Sequence, residues 1–203
     1  SIVDFSNFPG KERANVTLVF LKENLGAGGA RNEGLKLAEG KWLLFADSDD
    51  FFHENLISFI DQNFDNESDL IVFDTDSVLS DSLQKVDNRE NIVSQFMKKY
   101  DENILRYSHH AVWGKMFRLD LVKIRNIQFQ KVAASNDAYF AALFGVIAHK
   151  IEFFPDVLYC CTVRGNSICT RVTIDNTLAR ISVVRSVNQL LYNMNISCVY
   201  WMN

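Results

Sequence analysis

Three carboxylates occupy four positions in the stretch KWLLFADSDDFF, Lys41–Phe52. Asp47, Asp49 and Asp50 follow a run of apolar residues, and no basic residue adjoins them. Like charges this close repel one another, and their usual stabilising partner is a hard divalent cation, which takes oxygen ligands and leaves positions for water and substrate phosphate. The pattern therefore favours a metal site that also binds a phosphorylated ligand.

The spacing within the cluster separates its members. Asp47 and Asp49 lie two positions apart, so in an extended turn their side chains project in similar directions. Asp50 projects elsewhere, and its carboxylate suits the N-terminus of the helix predicted for HENLISFIDQNF, His53–Phe64. A second interpretation is that the whole cluster caps that helix and binds no metal, and the pattern by itself leaves both interpretations open.

A glycine-rich segment precedes the cluster. The stretch ENLGAGGARN places Gly26, Gly28 and Gly29 after an apolar run and at the start of a helical pattern. Glycines at such a turn let backbone N–H groups approach an anion or a flat base. The segment matches neither the Walker pattern nor the dinucleotide fingerprint, so by itself it is a weak sign of phosphate binding.

Apolar runs and helical patterns alternate along the first third of the chain. VTLVFL (Val16–Leu21), KWLLFA and DLIVF (Asp69–Phe73) are continuous apolar segments, which favour strands buried on both faces. GARNEGLKLAEG and HENLISFIDQNF, between them, have helical spacing. This alternation predicts an α/β fold with a mostly parallel sheet flanked by helices. Ligands bind beyond the carboxyl ends of such strands, which is where the carboxylate cluster lies.

The rest of the chain is less regular. The polar stretch Asp74–Glu90 indicates a loop, and KIEFFPDVLYCCTV indicates two strands interrupted by Pro155. NDAYFAALFGVIAH predicts a strongly apolar helix that opens at Asp137. The pattern of Ile174–Asn195 predicts an amphipathic helix whose apolar stripe packs on the domain or on a partner. The stripe is formed by Leu178, Ile181, Val184, Val187 and Leu191.

Composition excludes several classes of protein. With 203 residues and a net charge of −4, the chain is long enough for one domain with its own core and lacks the basic face that a nucleic-acid binder needs. No apolar run approaches the roughly 20 residues that span a bilayer, and the N-terminus has no signal peptide. The four cysteines fit no metal-ligand spacing. We therefore expect a cytoplasmic protein with reduced thiols. Contact with the inner face of a membrane and the oligomeric state stay open.

Taken together, these stretches resemble the family 2 glycosyltransferases, inverting enzymes with the A-type glycosyltransferase fold, which is Rossmann-like. The matching string is ENLGAGGARNEGLKLAEGKWLLFADSDDFF, close to the family's pattern of N-x-G-x-x-x-A-R-N, a helix ending in Gly, an apolar strand and D-S-D-D. VWGKMFR, NDAYF and VRGNS match further segments in the family's order. The resemblance covers most of the chain, from about Val16 to Thr170.

The resemblance implies roles for four acidic residues. Asp49 would bind the metal, Mn²⁺ or Mg²⁺, that bridges the two phosphates of a nucleotide-sugar donor, and Asp47 would contact the ribose or share the metal. Asp137 would be the catalytic base that removes the acceptor proton while a single displacement inverts the anomeric centre. Asp4, in the stretch SIVDFSN, would be the base-reading position at the end of a strand.

The resemblance also implies the rest of the donor site. Arg31, Asn24 and Gly26 would lie against the nucleotide, and Arg164 would sit on a loop that closes over the donor phosphates. The implied partners are a nucleotide-sugar donor, with uridine as the expected nucleoside, and a glycan or lipid-linked acceptor.

The chain departs from the family pattern in two ways. Asn136 stands where the family usually has Glu before the base. The family also begins with a strand, a helix and a second strand, and this chain starts too late for all of them, so we expect N-terminal strands to be missing. The expected organisation is an N-terminally incomplete catalytic domain at residues 1–170 and a C-terminal amphipathic helical segment at residues 171–203 that packs on it.

Three other functions remain open at the level of sequence, one of them glycoside hydrolysis by a pair of carboxylates. A catalytically silent family member would bind a nucleotide-sugar or a glycan without turnover. A phosphohydrolase of the haloacid dehalogenase type also has a D-x-D motif after an apolar strand. That pattern expects a small hydroxyl residue two positions after the second Asp, where this chain has Phe51.

Overall fold

The computed structural model describes residue 8 and residues 10–87, 92–164 and 173–203. Its centre is one mixed sheet, formed by β1 (Trp42–Leu43), β2 (Phe51–Phe52), β3 (Leu70–Leu79), β4 (Lys85–Val86), β5 (Lys115–Arg118) and β6 (Ile151–Val163). The helices are α1 (Gly26–Leu37), α2 (Leu56–Asn63), α3 (Ile92–Lys99), α4 (Leu119–Ile124), α5 (Ala138–Ile147) and α6 (Ile174–Asn193). No helix in the described ranges is both long and apolar enough to cross a bilayer.

The strand order is β1-β5-β3-β6-β2, with β4 paired to β3. The predicted α/β class with helices around a central sheet is confirmed, but the expectation of a mostly parallel sheet is wrong. Among the described residues, β3 and β6 form the one parallel pair, and the other pairings are antiparallel. The reason is that β5 is antiparallel to β3. The chain between them is a long connection and not the short helical crossover that joins parallel strands.

The apolar run Val16–Leu21 belongs to no strand of the described sheet, so the prediction of a buried strand there is wrong. Val19, Phe20 and Leu21 are exposed. A continuous apolar run forms a buried strand only when both of its faces are covered, and these three side chains stay exposed.

β3 and β6 are both longer than their patterns predict. β3 continues through Asp74 to Leu79, where a loop is expected, because β6 pairs with it along that whole length. Pro155 does not split β6. The pairing passes from Phe73 opposite Phe154 to Asp74 opposite Val157, and this irregularity leaves Pro155 outside the ladder, where its missing N–H costs no hydrogen bond.

Alternate residues of β3 face two separate layers of the core. Leu70 and Val72 pack with Phe140 and Phe144 of α5, among others. Ile71 and Phe73 pack on the other face, with α2. The central strand is therefore covered by helices on both sides, as its unbroken apolar sequence predicts.

α6 packs on α5 through Val183, Val187 and Leu191. The predicted helix is confirmed, but Leu178 and Ile181 of the predicted stripe are exposed, since only the second half of α6 lies over α5. The predicted boundary between residues 170 and 171 lies outside the described residues.

Candidate functional site

The D-S-D-D segment forms a tight turn between β1 and β2. The N–H of Asp50 donates to the carbonyl of Asp47 at 3.1 Å, which closes the turn. The N–H of Asp47 donates to the hydroxyl of Tyr159 at 3.0 Å. The hydroxyl of Thr162 donates to the carbonyl of Asp49 at 2.8 Å. Two residues of β6 therefore hold the backbone of the turn, and the carboxylates are presented from a supported loop.

Asp50 is the carboxylate of the turn that is bound by other residues of the fold. Its side chain accepts hydrogen bonds from the Tyr159 hydroxyl and from the N–H of Thr162, each at 2.7 Å. Burial raises the pKa of Asp50, against the lowering effect of these two hydrogen bonds. The helix-capping hypothesis is wrong for this residue, because α2 begins after Asn55 and Asp50 binds β6 instead.

Asp49 is presented to solvent on the same turn. Its carboxylate oxygen lies 3.4 Å from a guanidinium nitrogen of Arg164, just beyond the end of β6. Both side chains are exposed, so an ion pair here is weak and exchanges readily for another partner. The structure thus brings two predicted donor-site residues into contact and leaves the Asp49 carboxylate exposed.

Arg31 of α1 bridges the turn and the start of α5. Its guanidinium donates to Asp47 Oδ1 at 2.5 Å and to the Asn136 side-chain oxygen at 2.7 Å. It also lies over the Phe129 ring, with 5.4 Å from the guanidinium carbon to the ring centroid. These three contacts hold the guanidinium between two carboxylate-bearing segments, which sequence reasoning did not foresee.

Asp137 immediately precedes α5 and is half-buried. Within the described part of the chain its side chain makes no capping hydrogen bond to the helix, although its position would allow one. Burial raises the pKa of Asp137, Arg31 opposes this effect and Asp47 adds to it. A carboxyl with a raised pKa that is not engaged in capping is a candidate for proton transfer.

The glycine-rich start of α1 positions Arg31. A Cβ at Gly28 would lie 2.3 Å from the backbone oxygen of Gln130, so only glycine allows helix and loop to approach this closely. Buried Asn32 then joins the two segments, donating to the carbonyl of Phe129 at 2.9 Å and accepting from its N–H at 2.8 Å. The loop that leads to Asp137 is thereby clamped to the helix that carries Arg31.

Asn24 and Gly26 have a local role. The N–H of Gly26 donates to the side-chain oxygen of Asn24 at 2.9 Å, and Gly26 has φ +68°, a conformation that glycine tolerates. This turn opens α1, and no contact found among the described residues links either of them to the three carboxylates Asp47, Asp49 and Asp137. Asp4 lies outside the described residues.

Sequence reasoning missed Tyr159, Thr162 and the contact made by Asn136. Tyr159 and Thr162 lie more than a hundred positions after the turn that they hold, and their local sequence is that of an ordinary buried strand. Asn136 was noted only as a departure from a pattern, yet it accepts from Arg31. Long-range contacts of this kind leave no periodic signal in the chain.

Residues 4–127 match the model of the family described as "Glycosyl transferase family 2". This match covers more than half of the chain. The protein belongs to glycosyl transferase family 2. The predicted family is therefore confirmed, and the D-S-D-D turn and Arg31 lie inside the matched range.

Two curated proteins share recognisable sequence with this family 2 chain. It is 21% identical over 161 residues to the "Putative glycosyltransferase EpsH" of Bacillus subtilis, covering 75% of this chain and 46% of that protein. It is 26% identical over 171 residues to the "Poly(ribitol-phosphate) beta-glucosyltransferase" of Bacillus spizizenii, covering 81% of this chain and 26% of that protein. The chain therefore spans less than half the length of either relative.

Solved structures share its fold. The crystal structure of S. aureus TarS 1–349 in complex with UDP-GlcNAc matches with a TM-score of 0.60 and 21% identity, over 85% of this chain and 48% of that one. The structure of TarS 1–349 with UDP matches with a TM-score of 0.59 and 22% identity, over 87% of this chain and 48% of that one. The predicted A-type glycosyltransferase fold is confirmed, and this chain covers less than half of each of those two chains.

Proposed function

We propose that this family 2 protein transfers a sugar from a nucleoside-diphosphate donor to a hydroxyl of a glycan or lipid-linked acceptor, with inversion at the anomeric carbon. The observation that carries the proposal is the bridge made by Arg31. It joins Asp47 of the D-S-D-D turn to Asn136, the neighbour of Asp137. A donor held at the turn would therefore lie beside a carboxyl that suits a general base.

Uridine is the proposed nucleoside. The structurally similar TarS 1–349 has been crystallised with UDP-GlcNAc and with UDP. The relative from B. spizizenii is described as a glucosyltransferase acting on poly(ribitol-phosphate). UDP-GlcNAc and UDP-glucose are accordingly the first donors to test, and poly(ribitol-phosphate) belongs in the acceptor screen beside glycans and lipid-linked saccharides.

The turn fits a divalent cation, which we propose is Mn²⁺ or Mg²⁺. Asp49 offers an exposed carboxylate on a backbone held by β6, and hard cations of this kind take carboxylate oxygens together with substrate phosphates. One oxygen of Asp47 is engaged by Arg31, so Asp49 is the principal proposed ligand and Asp47 the second. A bound cation would stabilise the negative charge of the departing diphosphate.

The protein's own groups supply the remaining chemistry. Asp137 takes the proton of the acceptor hydroxyl while that oxygen bonds to the anomeric carbon and the bond to the donor diphosphate breaks. The raised pKa of Asp137 makes its carboxylate a stronger base toward the acceptor hydroxyl. Arg164, beside Asp49, adds a second positive charge near the diphosphate. Attack from the face opposite the leaving group inverts the anomeric configuration.

Replacing Arg31 with glutamine should move the acidic limb of the pH profile of kcat/KM to higher pH. Arg31 lowers the pKa of Asp137, so its loss lets burial and Asp47 raise that pKa further. The base works in its ionised form, and the rate therefore falls most at acid pH. The Arg31→Lys variant keeps the charge and should retain most of the wild-type profile. An unchanged acidic limb in Arg31→Gln would show that Asp137 and Arg31 are not coupled.

Calorimetric titration of UDP with and without Mn²⁺ tests the donor site. We expect binding that requires the metal, and a loss of roughly 1.4 kcal/mol or more, tenfold in affinity, in Asp49→Asn. Asp120→Asn is the matched control, because Asp120 is an exposed carboxylate in the first turn of α4, remote from the D-S-D-D turn in sequence. Equal UDP affinity in wild type and Asp49→Asn would overturn the metal-ligand assignment, and binding without turnover toward any acceptor would favour a silent family member.

A further inference from the structure

Three metal-ligating side chains meet just beyond the D-S-D-D turn, on residues that the proposed donor site does not use. His53 follows β2, Asp76 lies in β3 and Cys160 lies in β6. His53 Nε2 is 2.9 Å from Asp76 Oδ1. One ligand atom from each of the three residues lies within 4.8 Å of those of the other two.

The register of the sheet explains this meeting. Asp76 pairs with Cys160 across the parallel β3–β6 ladder, and Phe51 pairs with Cys160 across the antiparallel β2–β6 ladder. Cys160 therefore lies between β3, which carries Asp76, and β2, which His53 directly follows. Successive strand residues point to opposite faces, so Cys160 faces away from the core that receives Tyr159 and Cys161.

We propose that His53, Asp76 and Cys160 bind a zinc-type divalent cation at a site that shares no ligand with the donor turn. An imidazole nitrogen, a thiolate sulfur and a carboxylate oxygen are the ligands that zinc prefers, and three protein ligands leave the fourth tetrahedral position to water. A thiolate ligand disfavours Mg²⁺ and Mn²⁺, which prefer oxygen ligands. The two sites therefore select different cations.

The distances fit such a site with little movement. Tetrahedral bonds of about 2.0–2.3 Å place neighbouring ligand atoms roughly 3.3–3.8 Å apart. His53 Nε2 and Asp76 Oδ1 lie 2.9 Å apart and no two of the three ligand atoms are more than 4.8 Å apart, so small side-chain shifts reach that range. The His53 side chain is about one-third exposed and gives a cation access to the cluster.

Two features oppose cation binding, but neither prevents it. Burial, and then the hydrogen bond to Asp76, raise the pKa of the Cys160 thiol to about 12. When the metal–sulfur bond forms, the thiol proton passes to solvent, as metal binding to cysteine requires. The ammonium of Lys85 lies 4.0 Å from the second oxygen of Asp76, and its largely exposed side chain can turn away into water.

Titration with Co²⁺ in the absence of nucleotide tests the site. We expect saturable binding of one Co²⁺ per chain, with the near-ultraviolet absorption of a thiolate–cobalt bond, and loss of that absorption in Cys160→Ser. The matched control is Cys198→Ser, which removes an exposed free thiol and should leave the band intact. Zn²⁺ should displace Co²⁺ and raise the Tm of the wild-type protein, because a ligand that binds only the folded state stabilises it.

The absence of a thiolate band in the wild-type protein would overturn the proposal, and so would a band of equal intensity in Cys160→Ser. Asp76→Asn and His53→Gln each keep the thiol, and each should weaken Co²⁺ binding more than about tenfold. They keep the test decisive if circular dichroism shows that Cys160→Ser fails to fold. Neither sugar transfer nor UDP binding enters these measurements, so their outcome is independent of the proposed function.

Discussion

Replacing Asp137 with asparagine should lower kcat by a factor of about 10²–10⁴, the usual contribution of a general base. The amide cannot accept the proton of the acceptor hydroxyl, while it keeps nearly the same shape and volume. The affinity for UDP should stay close to that of the wild-type protein, because the turn that carries Asp47 and Asp49 is untouched. Release of UDP from UDP-GlcNAc, with any acceptor that supports turnover, measures the first effect, and calorimetry measures the second.

The control for this variant is again Asp120→Asn, which replaces another carboxylate near the start of a helix. It should retain wild-type turnover. If Asp137→Asn turned over at the wild-type rate, the base would have to be another group. If it lost UDP affinity in parallel with kcat, Asp137 would act by shaping the donor site.

The same variant should be at least as stable as the wild-type protein at neutral pH. Burial raises the pKa of Asp137 in the folded state above its ordinary value of 3.8, so the folded protein favours the protonated form more than the unfolded chain does. The stability that this preference confers is present below pH 3.8 and is lost as the pH rises through the folded-state pKa. Asparagine does not ionise, and the gain in Tm should therefore disappear in strong acid.

Replacing Gly28 with alanine should destabilise the fold by about 2–3 kcal/mol, the cost of overpacking a close contact. The added Cβ would lie 2.3 Å from the carbonyl oxygen of Gln130 and 3.1 Å from the Cβ of Asn136. Because backbone cannot move aside as a flexible side chain can, α1 must shift, and it carries Arg31 with it. Urea unfolding measures the loss of stability, and turnover should fall in the same variant.

Gly34→Ala is the matched control on the same helix. A Cβ at Gly34 meets nothing within 4 Å, so alanine adds helix propensity without a clash. It should stabilise the protein by up to about 1 kcal/mol. If both variants changed the free energy of unfolding alike, the close approach of α1 to Gln130 would not constrain the fold.

The local patterns of the chain predicted much of the fold and of the site. The apolar run before Asp47 and the helical spacing after it predicted a strand, a turn and a helix, because these elements follow from the periodicity of neighbouring residues. Asp49 and Asp137 were named as site residues through the resemblance of their stretches to family 2, and their roles stay predictions. α6 was also predicted from periodicity, but the pattern did not show which half of the helix is buried.

Tertiary structure decided what each of these residues contacts. Three aspartates lie within one four-residue stretch, and that stretch does not distinguish their contacts. In the structure, Asp50 is bound by Tyr159 and Thr162 while Asp49 stays exposed. The direction of β5, the length of β3 and the accommodation of Pro155 likewise depend on pairing with distant strands.

Local spacing describes only neighbours along the chain, whereas pairing in the sheet and side-chain hydrogen bonds join segments that may be separated by any length of sequence. Asp76 and Cys160, which the sequence places 84 positions apart, become neighbours only through the register of β3 and β6. The carboxylates were thus identifiable from the sequence, and the fold decided that Asp50 is bound by β6, Asp49 is exposed and Asp137 is half-buried before α5.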